Sequence, residues 1–174
     1  MKNIISLTSI PSRFRTLPAI VYDLEKHQDV DEIWVNIPYK YNRFPEIEVE
    51  VPDFVIVVND DTKYPDNLST KLIDLYKSEP CCWCLSGFRV DEYIKNNGRV
   101  DRYNKGLIDV TESYGGVILE MKWLQSMKGE FLDFYKLTYN DDIIISNLLS
   151  KMHIPKKSIC DVSMNIGMIK QYSY

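Results

Sequence analysis

The sequence lacks several features that would place it in common functional classes. Neither a Walker pattern nor G-x-G-x-x-G occurs, and the chain has only 7 glycines, which argues against a P-loop NTPase or an ordinary dehydrogenase. It has no apolar run long enough to cross a bilayer, and its first residues lack the apolar core and cleavage site of a signal peptide. A net charge of −4 disfavours a broad nucleic-acid-binding surface. We therefore expect no membrane span, no nucleic-acid partner and a cytoplasmic location.

The cysteines do not form a pattern typical of a disulfide framework or a zinc site. Cys81, Cys82 and Cys84 crowd one apolar segment, and Cys160 lies far from them in sequence. Adjacent cysteines on a strand point to opposite faces, so the three cannot converge on one metal ion. We interpret them as reduced core thiols in a reducing compartment.

The composition is that of an ordinary globular domain, and the order of elements indicates an α/β fold. With 174 residues, 45% of them apolar, the chain can bury a sizeable core, and we expect one domain over residues 1–174. Residues 3–10 predict a strand, a helix follows from about residue 17, and residues 32–37 predict a second strand. This spacing is typical of a βαβ unit in a parallel sheet.

An apolar run at residues 54–58 ends abruptly at two carboxylates, and the rest of the site is expected to form around it. The run predicts a strand buried on both faces, and ligands of open α/β sheets bind at the carboxyl ends of such strands. Adjacent carboxylates repel each other, so a cation or a donor-rich turn is expected to relieve them. Oxygen ligands suit Mg²⁺ or Mn²⁺, which makes Asn59, Asp60 and Asp61 candidate metal ligands. The alternative is a polar turn whose aspartates cap backbone amides.

Two further segments carry candidate ligand contacts. After the first strand, hydroxyls and a guanidinium suit a nucleotide base, ribose or phosphate: Thr8, Ser9, Pro11 and Arg13. Later, paired glycines beside an aromatic residue would let the backbone approach a ligand while the ring packs on a sugar, or they would form a bulge: Tyr114, Gly115 and Gly116. Ser86 and Gly87 present a weaker form of the same pattern.

A second acidic pair precedes an apolar helical stripe. Asp141 and Asp142 come directly before the periodic apolar residues 144–152. Aspartate is a favoured N-cap, so one interpretation is helix capping alone. Since capping needs one carboxylate, the other could act as a general base facing a cleft.

The remaining segments predict a succession of shorter elements. Helical patterns cover residues 67–76, 121–127 and 131–137, and strands are expected at 81–85, 107–110 and 159–162. Residues 90–105 turn polar and predict a hairpin or mobile loop.

In this order, the four pieces resemble a glycosyltransferase of the GT-A fold. Residues 7–13 resemble its nucleotide-binding first turn, and residues 58–65 resemble its metal-binding aspartate motif with the following Tyr-Pro. Residues 114–117 are similar to the segment lining its sugar pocket, and residues 140–143 resemble its late acidic motif. The likeness extends to small glycosyltransferase domains of large DNA viruses of algae and to their bacterial relatives.

The resemblance implies a three-layer sandwich around a mostly parallel, mixed sheet, and transfer of a sugar from a UDP-hexose or UDP-6-deoxyhexose to a glycan or glycoprotein hydroxyl. It implies that Asp61, with Asp60 or Asn59, holds Mn²⁺ or Mg²⁺, and that Asp142, or failing it Asp141, is the base of an inverting reaction. The nucleotide contacts would come from Thr8, Pro11, Arg13 and Asn36.

Two departures from the family pattern keep other functions open. Asn59 stands where many members carry the first acid of Asp-x-Asp, and the chain is short, so acceptor-binding parts could lie on another domain or subunit. The alternatives are a sugar nucleotidyltransferase, whose usual glycine- and basic-rich N-terminal loop is missing, and a non-catalytic nucleotide-sugar-binding module.

Overall fold

The computed structural model of the chain describes residues 1–37, 51–98, 105–138, 140–159 and 167–168. Its main feature is a seven-stranded sheet. In chain order the strands of the described residues are β1 (Asn3–Thr8), β2 (Glu32–Asn36), β3 (Phe54–Asn59), β4 (Thr62–Lys63), β5 (Cys82–Cys84), β6 (Gly87–Phe88), β7 (Gly106–Leu107), β8 (Val110–Thr111), β9 (Val117–Glu120), β10 (Lys156–Ser158) and β11 (Gly167–Met168). The main sheet has the order β2-β1-β3-β9-β5-β10-β7, while β4 pairs with β11 and β6 pairs with β8.

The main sheet is mixed, but most of its strands run in one direction. β1 is parallel to both β2 and β3, and β5 is parallel to β10. β9 runs antiparallel between β3 and β5, and β7 is antiparallel to β10 at the edge. The five strands β2, β1, β3, β5 and β10 therefore share a direction, which confirms the expected α/β class with a mostly parallel, mixed sheet.

Helices cover both faces of this sheet. They are α1 (Leu17–Leu24), α2 (Leu68–Ser78), α3 (Val90–Lys95), α4 (Met121–Tyr135) and α5 (Asp141–Lys151). Alternate residues of β9 enter different cores: Ile118 packs in the cluster that contains buried residues of α1 and α2. Val117 and Leu119 pack in the cluster that contains residues of α4 and α5. Side chains of successive strand residues point to opposite faces, so the sheet separates two hydrophobic cores.

The apolar run at residues 54–58 forms β3 in the middle of the sheet, as predicted. Val55 is 4% exposed and Ile56 is fully buried, so neighbouring side chains on opposite faces are both covered. The strand delivers Asp60 and Asp61 to the carboxyl-end edge of the parallel strands. Within the described residues, no helix is long and apolar enough to cross a membrane.

Several predicted elements differ from the structure. The strand expected at 107–110 is replaced by two short strands, β7 and β8, which are separated by residues 108 and 109. The helices expected at 121–127 and 131–137 form the single helix α4. Gly129 interrupts the sequence pattern, which predicted a break, but it lies at an open position within the continuous helix. The predicted loop at 90–105 begins with the helix α3. The N–H of its first residue, Val90, donates to Asp109 Oδ2 at 2.9 Å, a residue 19 positions later in the chain. Residues 99–104 lie outside the described part.

β10 covers Lys156–Ser158 and ends directly before the strand predicted at 159–162, of which residues 160–162 are outside the described residues. The polar composition of β10 did not indicate a buried strand. Lys156 is buried and donates to the Ser146 carbonyl, a contact that the local sequence does not reveal. The prediction for the cysteines is consistent with the structure where it is described: Cys81, Cys82 and Cys84 are buried free thiols. Burial raises the pKa of Cys81 to about 11, which keeps this thiol protonated.

Candidate functional site

The carboxyl ends of three parallel strands bring candidate residues side by side. In the sheet register, Thr8 of β1 is level with Asn36 of β2 on one side and with Asn59 of β3 on the other. The Asn36 amide nitrogen donates to Ser6 Oγ at 2.7 Å and to the Leu7 carbonyl at 3.1 Å. Asn36 therefore fixes the end of β1 against β2, at the edge where open α/β sheets bind ligands.

The basic turn after β1 meets the acidic pair after β3. Pro11 begins a single 3₁₀ turn that ends at Arg13, and Arg13 Nη1 donates to Asp60 Oδ1 at 2.5 Å. Arg13 Nη2 lies 3.5 Å from Asp61 Oδ2. The hydrogen bond and charge of Asp60 raise the pKa of Arg13. The guanidinium thus supplies the positive charge that the adjacent carboxylates were expected to require.

The two carboxylates differ in accessibility. The Asp60 side chain is 1% exposed, and its Oδ2 atom is buried without a hydrogen-bond partner among the described residues; the same holds for Ser9 Oγ. The Asp61 side chain is 27% exposed, and Thr62 Oγ1 lies 3.3 Å from its Oδ1. Asp60 is therefore an internal partner of Arg13, whereas Asp61 can meet a ligand from solvent.

This donor set fits a hard cation only if a ligand completes the coordination. In the parts of the chain that the structure describes, no group of three or more His, Cys, Asp or Glu side chains could hold a metal ion. Mg²⁺ is commonly bound by one or two carboxylates together with substrate phosphates. Two carboxylates and one guanidinium leave a local charge of about −1, which would still attract a cation. Asp61 is the residue best placed to hold it.

Tyr64 joins the acidic turn to the glycine segment. Its hydroxyl accepts a hydrogen bond from the Asn59 N–H at 2.8 Å and donates to the Tyr114 carbonyl at 2.9 Å. Tyr64 is 5% exposed, and this burial raises the pKa of its hydroxyl well above the usual range. The neutral Tyr64 hydroxyl, with one hydrogen bond to each segment, therefore sets the spacing between the acidic turn and the glycine segment.

A carboxylate that the sequence analysis did not select lies at the centre of the next group. Ser86 Oγ donates to Glu112 Oε2 at 2.5 Å, and the Tyr114 hydroxyl donates to the same oxygen at 3.2 Å. Ser86 Oγ and the Tyr114 hydroxyl are themselves 2.9 Å apart. Ser86 and Tyr114 thus come together as expected, and Glu112 connects them. Its position directly before the Ser-Tyr-Gly-Gly segment was the available signal.

The paired glycines are explained by packing within the protein. A Cβ atom on Gly115 would lie 2.9 Å from the Ser86 backbone nitrogen, so the two backbones meet there without a side chain between them. Gly116 has φ +80°, which L side chains rarely adopt, and a Cβ there would lie 2.9 Å from a Leu68 methyl group. Gly87 is likewise packed, because a Cβ atom would lie 2.2 Å from Ile108. The glycines shape the rim, and the polar side chains beside them are the candidates for ligand contact.

The second acidic pair is not the helix cap. Asn140 caps α5, its side-chain oxygen accepting from the Ile143 N–H at 3.0 Å. Asp142 Oδ1 instead accepts the Ser113 N–H at 2.9 Å, and Asp141 is exposed. Asp141 Oδ1 accepts the Asp142 N–H at 3.1 Å, so Asp141 satisfies a backbone amide in the first turn of α5. The contact of Asp142 with Ser113 lies outside the helix and goes beyond capping.

Asp142 has the environment of a group that takes up a proton readily. Burial is the main cause that raises its pKa above the usual aspartate value, and the charges of Asp141 and Glu112 raise it further. The hydrogen bonds from Ser113 act in the opposite direction. A carboxyl whose pKa is raised holds a proton more readily than an ordinary aspartate, which is a property that general bases share.

The candidate groups form one connected rim. Arg13 contacts Asp60 and Asp61, Tyr64 connects residue 59 with residue 114, and Ser113 contacts Asp142. β3 also packs against the turn at Ser113–Gly115. A path of hydrogen bonds and neighbouring residues therefore links the carboxyl end of β3 to Asp142 through the Tyr114 turn.

Comparisons with known proteins identify the fold and leave the activity open. No protein-family model matches the chain, and no curated protein gives a significant match. Among solved structures 50 chains match. One is the crystal structure of A197 from STIV, with a TM-score of 0.60 and 12% sequence identity. That alignment covers 98% of this chain and 87% of A197, so the described architecture resembles that structure over nearly its whole length.

Proposed function

We propose that this chain is a glycosyltransferase of the GT-A type. It would move a sugar from a nucleoside-diphosphate donor, expected to be a UDP-hexose or UDP-6-deoxyhexose, to a hydroxyl of a glycan or glycoprotein acceptor. Support comes from the mixed α/β sheet and from the polar cluster at the carboxyl ends of its central parallel strands. The motif resemblance adds the substrate class.

The donor is proposed to lie across the carboxyl ends of β1, β2 and β3. Thr8, Pro11 and Asn36 would contact the nucleotide, because Thr8 and Asn36 are level in the sheet and Pro11 opens the adjoining turn. Arg13 has five N–H donors, of which the contacts with Asp60 and Asp61 use only part. Its side chain is 34% exposed, so the remaining donors suit a diphosphate.

A divalent cation fits the same place, at Asp61. Mn²⁺ or Mg²⁺ bound there would neutralise negative charge on the departing diphosphate. Asp60 would support the site indirectly, because its carboxylate is buried against Arg13 and holds the guanidinium in position.

Asp142 is the proposed base. It would accept the proton of the acceptor hydroxyl as that oxygen attacks the anomeric carbon and the bond from this carbon to the diphosphate breaks. Attack from the side opposite the leaving group inverts the configuration. The contact with Ser113 orients the carboxylate, and Glu112 lies one residue before Ser113 in the chain.

The observation that carries the proposal is the connection between the two acidic segments. Asp60 and Asp61 lie at the start of a contact path that passes through Tyr64 and the Tyr114 turn to Asp142. A site for transfer needs a diphosphate-binding end and a base on the far side of the sugar. The proposal assigns the first role to the Asp61 end of this path and the second to Asp142.

A panel of nucleotide sugars tests the proposal. The purified chain is incubated with each donor, with Mn²⁺ or with a chelator, and with and without simple glycan acceptors. Release of nucleoside diphosphate supports transfer, whereas turnover of pyrophosphate with sugar phosphates indicates a nucleotidyltransferase. Donor binding measured by calorimetry without any turnover indicates a non-catalytic binding module. Two features favour that alternative: Asn59 replaces an acid of the metal motif, and Asp60 is already paired with Arg13. We further propose that the reaction takes place in the cytoplasm, that of the host if the chain is viral.

A further inference from the structure

One face of α5 carries polar side chains at every fourth residue. Asp142, Ser146 and Ser150 are four residues apart, a spacing that places them in one row on a helix. Asp142 Oδ1 accepts the Ser113 N–H at 2.9 Å, and Ser146 Oγ accepts the Thr111 N–H at 2.9 Å. Ser150 Oγ accepts from Lys156 Nζ. The proposed base is therefore the first member of a hydrogen-bonded row.

The row matches the repeat of the extended segment beside it. Thr111 and Ser113 are two residues apart in an extended segment and span about 6.6 Å, while four helical residues rise about 6 Å. The contacts Asp142–Ser113 and Ser146–Thr111 can therefore form together without strain, with the helix antiparallel to the segment. Thr111 Oγ1 also lies 3.1 Å from Ser146 Oγ, so Ser146 contacts both the backbone and the side chain of Thr111.

A buried lysine contacts the end of the row opposite Asp142. Lys156 is 5% exposed and donates to the Ser146 carbonyl at 3.1 Å as well as to Ser150 Oγ. Ser146 and Thr111 are 1% and 2% exposed. Because a buried ammonium or N–H group without a partner is strongly unfavourable, these groups hold α5 at one height relative to β8 and β10.

We propose that Ser146 and Lys156 are positioning residues that hold Asp142 in register with Ser113 and Glu112. Their effect on turnover rests on the proposed function, since it passes through the proposed base. Their effect on the position of Asp142 is a separate property of the fold. Neither residue lies in the nucleotide-binding or metal-binding part of the site.

The test uses two variants, each with a matched control. Ser146→Ala removes the acceptor of the Thr111 N–H. Its control, Ser126→Ala, removes the hydroxyl of an exposed serine of α4 that bonds within its own helix. Lys156→Met removes the buried ammonium, and Lys157→Met removes the neighbouring lysine of β10, which pairs with Glu79 instead. Variants that unfold cooperatively like the wild type are carried forward. Ser150→Ala, at an exposed position, serves as a milder version of the lysine variant.

The primary readout is the backbone amide of Ser113, which reports on Asp142 directly. In Ser146→Ala and Lys156→Met we expect its hydrogen exchange to accelerate at least about tenfold, and the pH midpoint at which its NMR shift follows Asp142 to move. Turnover should show kcat lowered by about 10- to 100-fold with the KM for the donor little changed. The control variants should match the wild type in all three properties.

The result that overturns the proposal is a folded Ser146→Ala, Lys156→Met or Ser150→Ala series in which the Ser113 amide exchanges and titrates as in the wild type. Lower stability with an unchanged Ser113 amide overturns it as well, because the row would then serve packing alone. If the wild type turns over no donor, the proposed function fails, while the Ser113 readout still decides the positioning claim.

Discussion

Arg13 and Asp60, which are 47 residues apart in sequence, form the tightest charged contact of the candidate site, at 2.5 Å. The carboxylate is 1% exposed, whereas the arginine side chain is 34% exposed. The pair therefore has a buried acidic end and an accessible basic end. A diphosphate arriving from solvent would meet the basic end first.

Removing the arginine is expected to destabilise the fold through the carboxylate that remains. Arg13→Met should lower the free energy of unfolding by about 1–3 kcal/mol, less than for a fully buried pair because Arg13 is partly solvated. The double variant with Asp60→Asn should recover part of the loss. Urea unfolding measures both.

The matched control is Arg89→Met, which breaks the exposed pair with Asp91. It should change stability by less than about 1 kcal/mol. Equal losses for Arg13→Met and Arg89→Met would show that Asp60 does not depend on its partner.

Tyr64→Phe tests the bridge between the acidic turn and the Tyr114 turn. The variant keeps the ring but leaves the Asn59 N–H and the Tyr114 carbonyl without their shared hydroxyl. We expect a loss of about 1–3 kcal/mol in the free energy of unfolding and weaker donor binding by calorimetry. Tyr22→Phe, at a position 65% exposed, should change neither by more than about 0.5 kcal/mol. Wild-type donor affinity in Tyr64→Phe would argue against the bridge as a spacer of the site.

Asp142→Asn should separate catalysis from binding. Loss of the proposed base should lower kcat by about 10²- to 10⁴-fold, while donor affinity changes little because the nucleotide contacts lie at the other end of the rim. Asp133→Asn, at an exposed position of α4, is the control. Turnover that survives in Asp142→Asn would remove this residue from the mechanism.

The same variant makes a prediction about stability. Because the folded-state pKa of Asp142 is raised, ionising this carboxyl costs more in the folded state than in the unfolded state. Its contribution to stability is therefore fully present below the ordinary aspartate pKa of about 4 and is lost as the pH rises through the folded-state value. Asp142→Asn should be more stable than the wild type at pH 7, with the difference shrinking on acidification. A difference independent of pH would contradict this sign.

Glu112→Gln tests the acid that lies beside the base. The negative charge of Glu112 contributes to the raised pKa of Asp142, so neutralising it should lower that pKa. Because a base works when deprotonated, activity rises with pH through its pKa, and the acidic limb of the kcat profile should move to lower pH. Glu130→Gln, whose partner is Lys151 on the surface, should leave the profile in place. A shift to higher pH would show that Glu112 acts in another way.

Part of this site was accessible from the sequence because it depends on local order. An apolar strand followed by two acids predicts where Asp60 and Asp61 lie, and parallel strands with ends in register bring Arg13 close to them. The ion pair itself was not predictable, since the basic turn could equally have faced solvent. The cap at Asn140 was ambiguous for a local reason: three consecutive residues could each cap α5.

The rest depended on contacts between distant segments. Glu112 belongs to the site because β8 and the Tyr114 turn bring it against Ser86, 26 residues earlier. Lysine is rarely buried, and nothing in the neighbouring sequence indicates that contacts with α5 bury Lys156. Sequence periodicity also placed a break at Gly129, where burial of Trp123 and Met127 and partial burial of Phe131 along one face keep α4 continuous.

The central claim is that a nucleotide sugar binds along this rim, with its diphosphate at one end and its sugar towards the other. A crystal soaked with donor and Mn²⁺ tests it most directly. The account predicts the diphosphate against Arg13 and Asp61, the nucleotide against Thr8 and Asn36, and the sugar on the side of the Tyr114 turn that faces Asp142. A donor bound away from the carboxyl ends of β1, β2 and β3, with Arg13 and Asp61 untouched, would contradict it.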